Sequence, residues 1–327
     1  MGGRSRAKSG ADTHKILVKP PFRLDLTVSA LRRTPTNVVD VYTPDGRYLR
    51  ALGGRTKPVI VSVTQPGRDA LSVSVKGSRA DIVRAVECVR RILGTDRNLA
   101  AFHRRARGVP WLAPLARRMR GLRPPRYPEL FEACTNAIVF QQVSLDAASA
   151  IMRRLLRVVG TEVEHEGVPL VVFPTAERFL AGKDATLRAA GLSASKLAAL
   201  RRAAEAIASG ALTEAMLDEL PSDGAALLLQ RIKGIGPWTA ALILLRGLGR
   251  IDVIPGDDSG VRANLARFAG QRVTAASIAE QLGAQRGMVY FCLLLARLEA
   301  RGDIGRASDV ASSGGERSLA RLYHWRP

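Results

Sequence analysis

The sequence predicts two folded parts in succession: an α+β unit built on an antiparallel sheet, then an all-α domain. Three observations predict this. Residues from about 15 to 75 alternate apolar and polar side chains with the period of a half-buried strand. Beyond about residue 95 that alternation almost vanishes, and apolar positions recur at helical spacing to about residue 301. The length, 327 residues, suffices for two domains and a sizeable core.

In chain order, Phe22-Arg-Leu-Asp-Leu-Thr-Val28 and Leu71-Ser-Val-Ser-Val75 have period two and are expected as strands. Thr43-Pro-Asp-Gly46 is a turn signal between strands expected at 38–42 and 48–52. Ser78-Arg-Ala-Asp81 has the form of a helix cap with an acid at the third position. Ile82, Val83, Val86, Val89, Ile92 and Leu93 follow at helical spacing, so at least one helix covers the sheet. Arg123-Pro-Pro-Arg-Tyr-Pro128 then punctuates the chain. Helices are expected over about 129–141, 144–159, 175–181, 194–209, 213–219, 223–232, 238–247, 259–268, 274–282 and 287–301. Leu130, Phe131, Cys134, Ile138 and Val139 share one apolar face, and Gly191, Gly210, Pro221 and Gly270 mark turns. The expected division is a disordered basic arm at 1–12, an α+β domain at 13–100, an all-α domain at 101–302 and a polar tail at 303–327.

Hydrophobic content of 46% and charged content of 24% are ordinary for a globular protein. The sign of the charge is not: 50 Lys and Arg face 29 Asp and Glu, a formal net charge of +21. Such a surplus favours a polyanionic partner, with a phosphate backbone ahead of an anionic membrane or mere solubility. Cys88, Cys134 and Cys292 are too scattered for a disulfide framework, and fit free thiols in a reducing cytosol. His14, His103, His165 and His324 are equally dispersed, so no zinc site is expected. Arg246 interrupts the longest apolar stretch, so no membrane span is expected. The basic start Met-Gly-Gly-Arg-Ser-Arg has no apolar core and is not a secretory signal.

Residues 229–261 carry the chemistry. Leu228, Leu229 and Ile232 give the first helix a buried face, and Ser222 is its expected N-cap. Gly234 and Gly236 allow a tight bend and a close approach of ligand to backbone. Pro237 suits the first position of the second helix, and Thr239, Ala240 and Ala241 allow close helix contact. The N–H groups at that helix start lack internal partners and form a phosphate site, reinforced by the helix dipole. The alternative use of such a bend is packing alone.

The run from Gly234 to Val261 resembles the helix-hairpin-helix DNA glycosylase superfamily, with its glycine bend and following Asp. Phe131-Glu-Ala and Ala137-Ile-Val-Phe-Gln-Gln-Val-Ser144 resemble the helix and turn ahead of the hairpin in AlkA-type 3-methyladenine DNA glycosylase II. Gly191-Leu-Ser and residues 196–207 resemble that family's next block. The resemblance covers most of residues 15–300. It implies a TBP-like antiparallel sheet domain at the N-terminus and an all-α helix-hairpin-helix glycosylase domain after it.

It also implies roles. Asp258, in Asp-Ser-Gly-Val, matches the catalytic carboxylate, with Asp257 as nearest rival and Asp252 a more distant one. Breaking an N-glycosidic bond builds positive charge on the sugar, which a buried carboxylate stabilises. Asp258 also suits a helix N-cap, and the two roles can coexist. Trp238 stands where relatives with backbone-cleaving activity carry a Schiff-base Lys, so a monofunctional enzyme is expected. Trp238 is expected to wall the base pocket, with Phe22, Phe140 and Tyr290 as further aromatic lining. A Trp expected near position 294 is Leu294, which leaves the substrate spectrum open. Gly234, Gly236, Thr239, Gln141, Gln142 and Arg262 are the expected DNA contacts. Gln141 and Gln142 lie at the turn that relatives use to probe the gap left by a flipped base. The carbonyls of Gln230, Ile232 and Gly234 match the turn that holds a monovalent cation, Na+ or K+. No cofactor is otherwise required, and four cysteines for an iron–sulfur cluster are lacking.

The resulting expectation is a cytoplasmic, monomeric DNA repair enzyme. It excises alkylated purines from damaged double-stranded DNA by base flipping, with no membrane and no obligate protein partner. A non-catalytic DNA-binding protein, a glycosylase–lyase and a glycosylase of different damaged-base specificity stay open as alternatives.

Overall fold

The computed structural model describes residues 12–256, 265–268 and 273–305. Strands β1 (Asp12–Leu17), β2 (Val41–Tyr42), β3 (Tyr48–Leu52), β4 (Val59–Thr64) and β5 (Ala70–Val75) form an antiparallel sheet in the order β1-β5-β4-β3-β2. In β4, Val59, Val61 and Val63 are buried while the residues between them are half-buried, so one face takes the core. Helix α2 (Arg79–Leu93) covers β4 and β5, and starts as the sequence predicts, with the Asp81 N–H donating to Ser78 Oγ at 3.2 Å. The strand from Val59 was not among those expected. Asp12, assigned to the basic arm, pairs with Val75; residues 1–11 lie outside the described residues.

Residues 22–28 are not a strand. Helix α1 runs Leu24–Arg32, and every residue in it except Asp25 and Arg32 is buried. A helix buried on nearly all sides has no polar stripe, so the 3.6-residue period is invisible and Leu24, Leu26 and Val28 imitate a strand. The strand expected at 38–42 shortens to β2. Asn37 Oδ1 accepts from the Val39 and Asp40 amides at 2.8 and 3.0 Å and diverts that backbone into a turn.

The helical part comprises α3 (Ala100–Arg107), α4 (Leu112–Arg118), α5 (Leu130–Val139), α6 (Leu145–Val159), α7 (Ala176–Leu180), α8 (Asp184–Ala189), α9 (Ala194–Ala208), α10 (Glu214–Asp218), α11 (Ser222–Gln230), α12 (Pro237–Arg246), α13 (Ala275–Leu282) and α14 (Met288–Ala300). Helices α3, α4 and α8 are short and were not expected. The domain is also not all-α. Strands β6 (Thr161–His165) and β7 (Val168–Val172) form a hairpin whose two turn residues, Glu166 and Gly167, both have positive φ, 52° and 77°. That is the twist a two-residue hairpin requires, reached here by Glu-Gly rather than the commoner Asn-Gly. The hairpin packs on the N-terminal sheet, where Leu170 joins Leu49 and Ala51 in a small apolar cluster. Ser222 is not the cap of α11: Pro221 holds that position without a side-chain bond, and Ser222 is the first helical residue. Of the helix expected at 259–268, only 265–268 are described, and these are helical; residues 306–327 of the expected tail lie outside the described set.

Two buried cations join the N-terminal part to the helices that follow it. Arg50 of β3, 1% exposed, donates to Asp40 Oδ1 at 2.6 Å and to Glu132 Oε2 of α5 at 2.5 Å, and the Tyr48 hydroxyl donates to Asp40 at 2.8 Å. Arg246, at the end of α12 and also 1% exposed, donates to the carbonyls of Ala30 and Leu31 at 3.0 and 2.9 Å. Its guanidinium lies 5.1 Å from the Tyr127 ring centroid and 5.8 Å from that of Phe291. A buried guanidinium must be compensated. For Arg246 the compensation is the negative end of the α1 dipole and aromatic faces.

Burial raises the Glu132 carboxyl from 4.5 to about 7, with the Asp40 charge adding to the shift and Arg50 opposing it. Between those values the folded protein holds a proton that the unfolded chain releases. Stability therefore falls as pH rises through that window, by on the order of 3 kcal/mol in all. Thermal melts from pH 4.5 to 7.5 should show this decline in the wild type, and Glu132→Gln should flatten it. A Glu132→Gln profile parallel to the wild type would contradict the assignment.

Candidate functional site

The bend between α11 and α12 faces out at its glycines and in at Ile235. Gly234 and Gly236 are exposed, whereas Ile235 is 3% exposed and its N–H donates to the Ile232 carbonyl at 2.9 Å. Gly234 has φ +106°, and a Cβ there would lie 2.5 Å from Ala199 Cβ on α9. Only glycine meets both demands. Gly236 differs: its φ is −87°, and nothing lies within 4 Å of an added Cβ. Pro237 opens α12, and Ala240 N–H, donating to the Gly236 carbonyl at 2.9 Å, begins its ladder. The amides ahead of Ala240 have no partner within the helix.

The turn from α5 to α6 is locked to this bend. Gln141 Nε2 donates to the Gly234 carbonyl at 3.0 Å and to Thr239 Oγ1 at 2.7 Å. The neighbouring Gln142 is exposed at φ +51°, a conformation few non-glycine residues adopt. Ser144 Oγ then caps α6 by accepting from the Ala147 N–H at 3.2 Å. Helix α9 braces both pieces. Lys196 Nζ donates to the Val139 carbonyl at the end of α5 (2.9 Å), and Arg202 Nη1 to the Lys233 carbonyl beside the bend (2.9 Å). Burial holds the Lys196 amine below its ordinary value.

A shallow cleft of about 30 Å³ opens behind this turn, lined among others by Arg33, Thr34, Asn136, Phe140 and Ser149. The Arg33 guanidinium stacks 4.4 Å from the Phe140 ring centroid, on a backbone at φ +62°. Nothing in the sequence around Arg33 signals that conformation. Lys196 and Arg202 were visible only as members of a resembling block.

The expected site residues divide accordingly. Gly234, Gly236, Gln141 and Gln142 come together. The Thr239 side chain is 2% exposed with its hydroxyl engaged by Gln141, which leaves the backbone amide as its means of contacting a ligand. Trp238, beside Gly236 and Pro237, is half-buried against the core. Phe140 lines the cleft. Phe22 (3% exposed) instead packs under Arg123, and Tyr290 (8% exposed) against Phe291 and Arg246, both within the core. Asp258, its rival Asp257 and Arg262 lie outside the described residues. The segment leading to them is described: the Ile251 carbonyl accepts from the Gly287 N–H at 2.7 Å, and Gly256 sits against Ala275 at the start of α13.

The Gln230, Ile232 and Gly234 carbonyls suit a hard monovalent cation in donor type. Ile232 and Gly234 each already accept one bond, which leaves each oxygen one lone pair. Among the described residues no group of three or more His, Cys, Asp or Glu could hold a metal ion, and no helix is long and apolar enough to cross a membrane.

Comparison with known proteins places this arrangement. Residues 135–284 match the family model described as HhH-GPD superfamily base excision DNA repair protein. The DNA-3-methyladenine glycosylase of Bacillus subtilis (strain 168) is 32% identical over 166 residues, 51% of this chain and 55% of that protein. DNA-3-methyladenine glycosylase 2 of Escherichia coli (strain K12) is 26% identical over 73% of this chain and 82% of its own. The solved 3-methyladenine DNA-glycosylase from Archaeoglobus fulgidus superposes with a TM-score of 0.72 at 28% identity, covering 88% of this chain and 98% of that one. The chain spans about half the length of several curated relatives it matches, the B. subtilis protein among them.

The two glycines should respond differently to alanine. Gly234→Ala must adopt a left-handed backbone and displace Ala199, so its thermal midpoint should fall, by roughly 1–3 kcal/mol of stability or more. Gly236→Ala meets open space and should melt like the wild type. Its methyl group occupies the approach of a ligand to the α12 amides, so affinity for a phosphate-bearing ligand, probed with duplex DNA, should drop at least tenfold. Titration of labelled duplex with each variant reads this, and a Gly236→Ala protein that binds normally would contradict it.

Proposed function

We propose, from the match of residues 135–284 to the model of HhH-GPD superfamily base excision DNA repair proteins, that this chain is a member of that superfamily and a DNA glycosylase releasing alkylated purines of the 3-methyladenine type from duplex DNA. The observation that carries the proposal is the glycine bend at Gly234–Gly236, clamped through Gln141 to the turn that presents Gln142. One loop offers amides to a strand phosphate while the other offers an exposed residue to the groove. The names borne by the B. subtilis, E. coli and A. fulgidus proteins support the substrate class.

The backbone amides and dipole at the start of α12 hold a phosphate beside the damaged nucleotide. A Na+ or K+ ion bound by the Gln230, Ile232 and Gly234 carbonyls would add positive charge next to that phosphate. Gln142 enters the stack as the nucleotide leaves it, a step costing a few kcal/mol. Trp238 flanks the extruded base and stacks on its cationic ring. Asp258 stabilises the positive charge that develops on the deoxyribose and accepts a proton from the attacking water. Water oxygen bonds to the sugar carbon as the glycosidic bond breaks. The electron pair of that bond leaves with the base and cancels its formal positive charge, so the leaving group needs no acid. No amine stands at position 238 to form a Schiff base, so the product is an abasic site with both strands intact. The enzyme acts as a monomer in the cytoplasm, without an obligate protein partner.

Chromatography of bases released from methylated duplex DNA tests this. The wild type should release 3-methyladenine without nicking the strand, and Asp258→Asn should slow release at least about a hundredfold while still binding the duplex. No release by the wild type would leave a DNA-binding protein without this activity. Nicking without added heat or base would indicate a glycosylase–lyase, and an Asp258→Asn variant at full rate would remove Asp258 from the mechanism.

A further inference from the structure

Between Asp96 and Glu129 the chain carries nine arginines and no carboxylate side chain. Three of the nine have structural work: Arg118 pairs with Glu299, and Arg123 and Arg126 donate to backbone carbonyls of Lys19 and Arg91. Arg104, Arg105, Arg107, Arg117 and Arg120, on α3, α4 and the turn after α4, are exposed. Among the described residues none of these five makes an ion pair or side-chain hydrogen bond. Helices α3 and α4 pack together, which brings the exposed arginines of both and of the turn after α4 onto one part of the surface. The half-buried His103 is held below its ordinary value first by burial, then by Arg120, Arg123 and Arg107, so charges from the end of α3 and from the segment after α4 act on one ring. Concentrated like charge of this kind repels itself, and a face serving only solubility is better made of mixed signs.

The face lies close to the site. Arg105 abuts Gly283, where an added Cβ would be 3.4 Å from its Nη1, and Gly283 closes the C-terminal end of α13. At the other end of α13, Ala275 touches Gly256, the last described residue before Asp257 and Asp258; an added Cβ on Gly256 would be 2.7 Å from Ala275 Cβ. An eight-residue helix is about 12 Å long at about 1.5 Å per residue. Phosphates on one strand are spaced by about 3.4 Å along the duplex axis, so for a duplex running alongside this helix the arginines begin roughly three to four nucleotides from Gly256.

We propose that the arginine face of α3 and α4 is a second contact surface for the phosphate backbone of duplex DNA, gripping it on one side of the lesion beyond the third nucleotide. This rests on the reading that duplex DNA is the substrate. The face lies outside residues 135–284, so the shared family region does not carry it. It turns a single-phosphate hold at the α12 bend into a two-point grip, which resists rotation of the duplex while a nucleotide is extruded. It also sets a one-sided requirement for flanking DNA.

The test uses two 25-base-pair duplexes with an abasic-site analogue two base pairs from one end or from the other. Wild type, the triple variant Arg105→Ser/Arg107→Ser/Arg120→Ser and the corresponding triple Lys variant are titrated over a range of salt. On the duplex whose long arm runs toward α3 and α4, the Ser triple should bind at least tenfold more weakly. The slope of log K against log salt should shrink by about 2 to 3, at roughly 0.9 for each phosphate that is no longer neutralised. On the other duplex the Ser triple should match the wild type, and the Lys triple should keep the wild-type slope on both. Equal losses on both duplexes, or no change on either, would overturn the proposal. Hydroxyl-radical footprinting of the wild type guards against a misfolded variant: protection should extend past the third nucleotide on one side only, and a symmetric footprint overturns the proposal equally. A wild type that gives this one-sided binding but releases no base would sink the glycosylase reading and leave this surface standing.

Discussion

A loop that offers its backbone amides to a ligand has to be held from behind, because those amides contribute nothing to holding it. Gln141 supplies that restraint. Its carboxamide spans the Gly234 carbonyl and the Thr239 hydroxyl, one on each side of the bend. Ile235 anchors the bend in the core, Ala199 backs Gly234, and Arg202 takes the Lys233 carbonyl. The same Gln141 belongs to the turn that carries Gln142, so the phosphate site and the exposed tip form one rigid piece. Preorganisation of this kind removes the ordering cost that a mobile loop would meet on binding. It also uses up one of the two glutamines that the sequence suggests for the groove, and leaves Gln142 as the exposed one.

The frame behind the site depends on two buried guanidinium groups with different compensation. Arg50 shares two carboxylates, one from the turn before the sheet and one from α5. Three charges in that space sum to minus one, and burial resolves the excess by holding Glu132 toward its neutral form. Arg246 has no carboxylate partner among its contacts. It closes the carbonyl end of α1 and lies among aromatic rings. Each arginine bridges segments more than 80 residues apart in sequence. They therefore tie β3 to α5 and α1 to α12, and with the latter hold the segment that places Arg33 against Phe140 at the mouth of the cleft.

Positive charge is distributed for purpose over this molecule. Buried arginines are structural, those on α9 and α12 tie carbonyls, and the exposed set on α3 and α4 is left for solvent and polyanions. The net charge of +21 thus has a local expression beyond general basicity. In the proposed complex, long-range attraction would bring a duplex to the surface and the short-range amides at α12 would choose its register.

Much was determined locally by sequence. The glycine bend, Pro237 at the helix start and the Ser78 cap depend on residues within a few positions of one another, so they were legible without tertiary information. The antiparallel sheet and most of the helical series were legible for the same reason. What tertiary structure alone decided has long-range causes. Residues 22–28 alternate like a strand yet form a helix, because burial on nearly every side removes the polar face that marks helical period. The β6–β7 hairpin has an apolar partner because the sheet face at Leu49 and Ala51 takes Leu170. Phe22 and Tyr290 read as pocket aromatics but are core residues, since an aromatic side chain carries no sign of which apolar space it will fill. The clamp by Gln141 joins residues 93 and 98 positions apart. No local pattern encodes such a contact, because its geometry exists only once α5, α9 and α12 have packed.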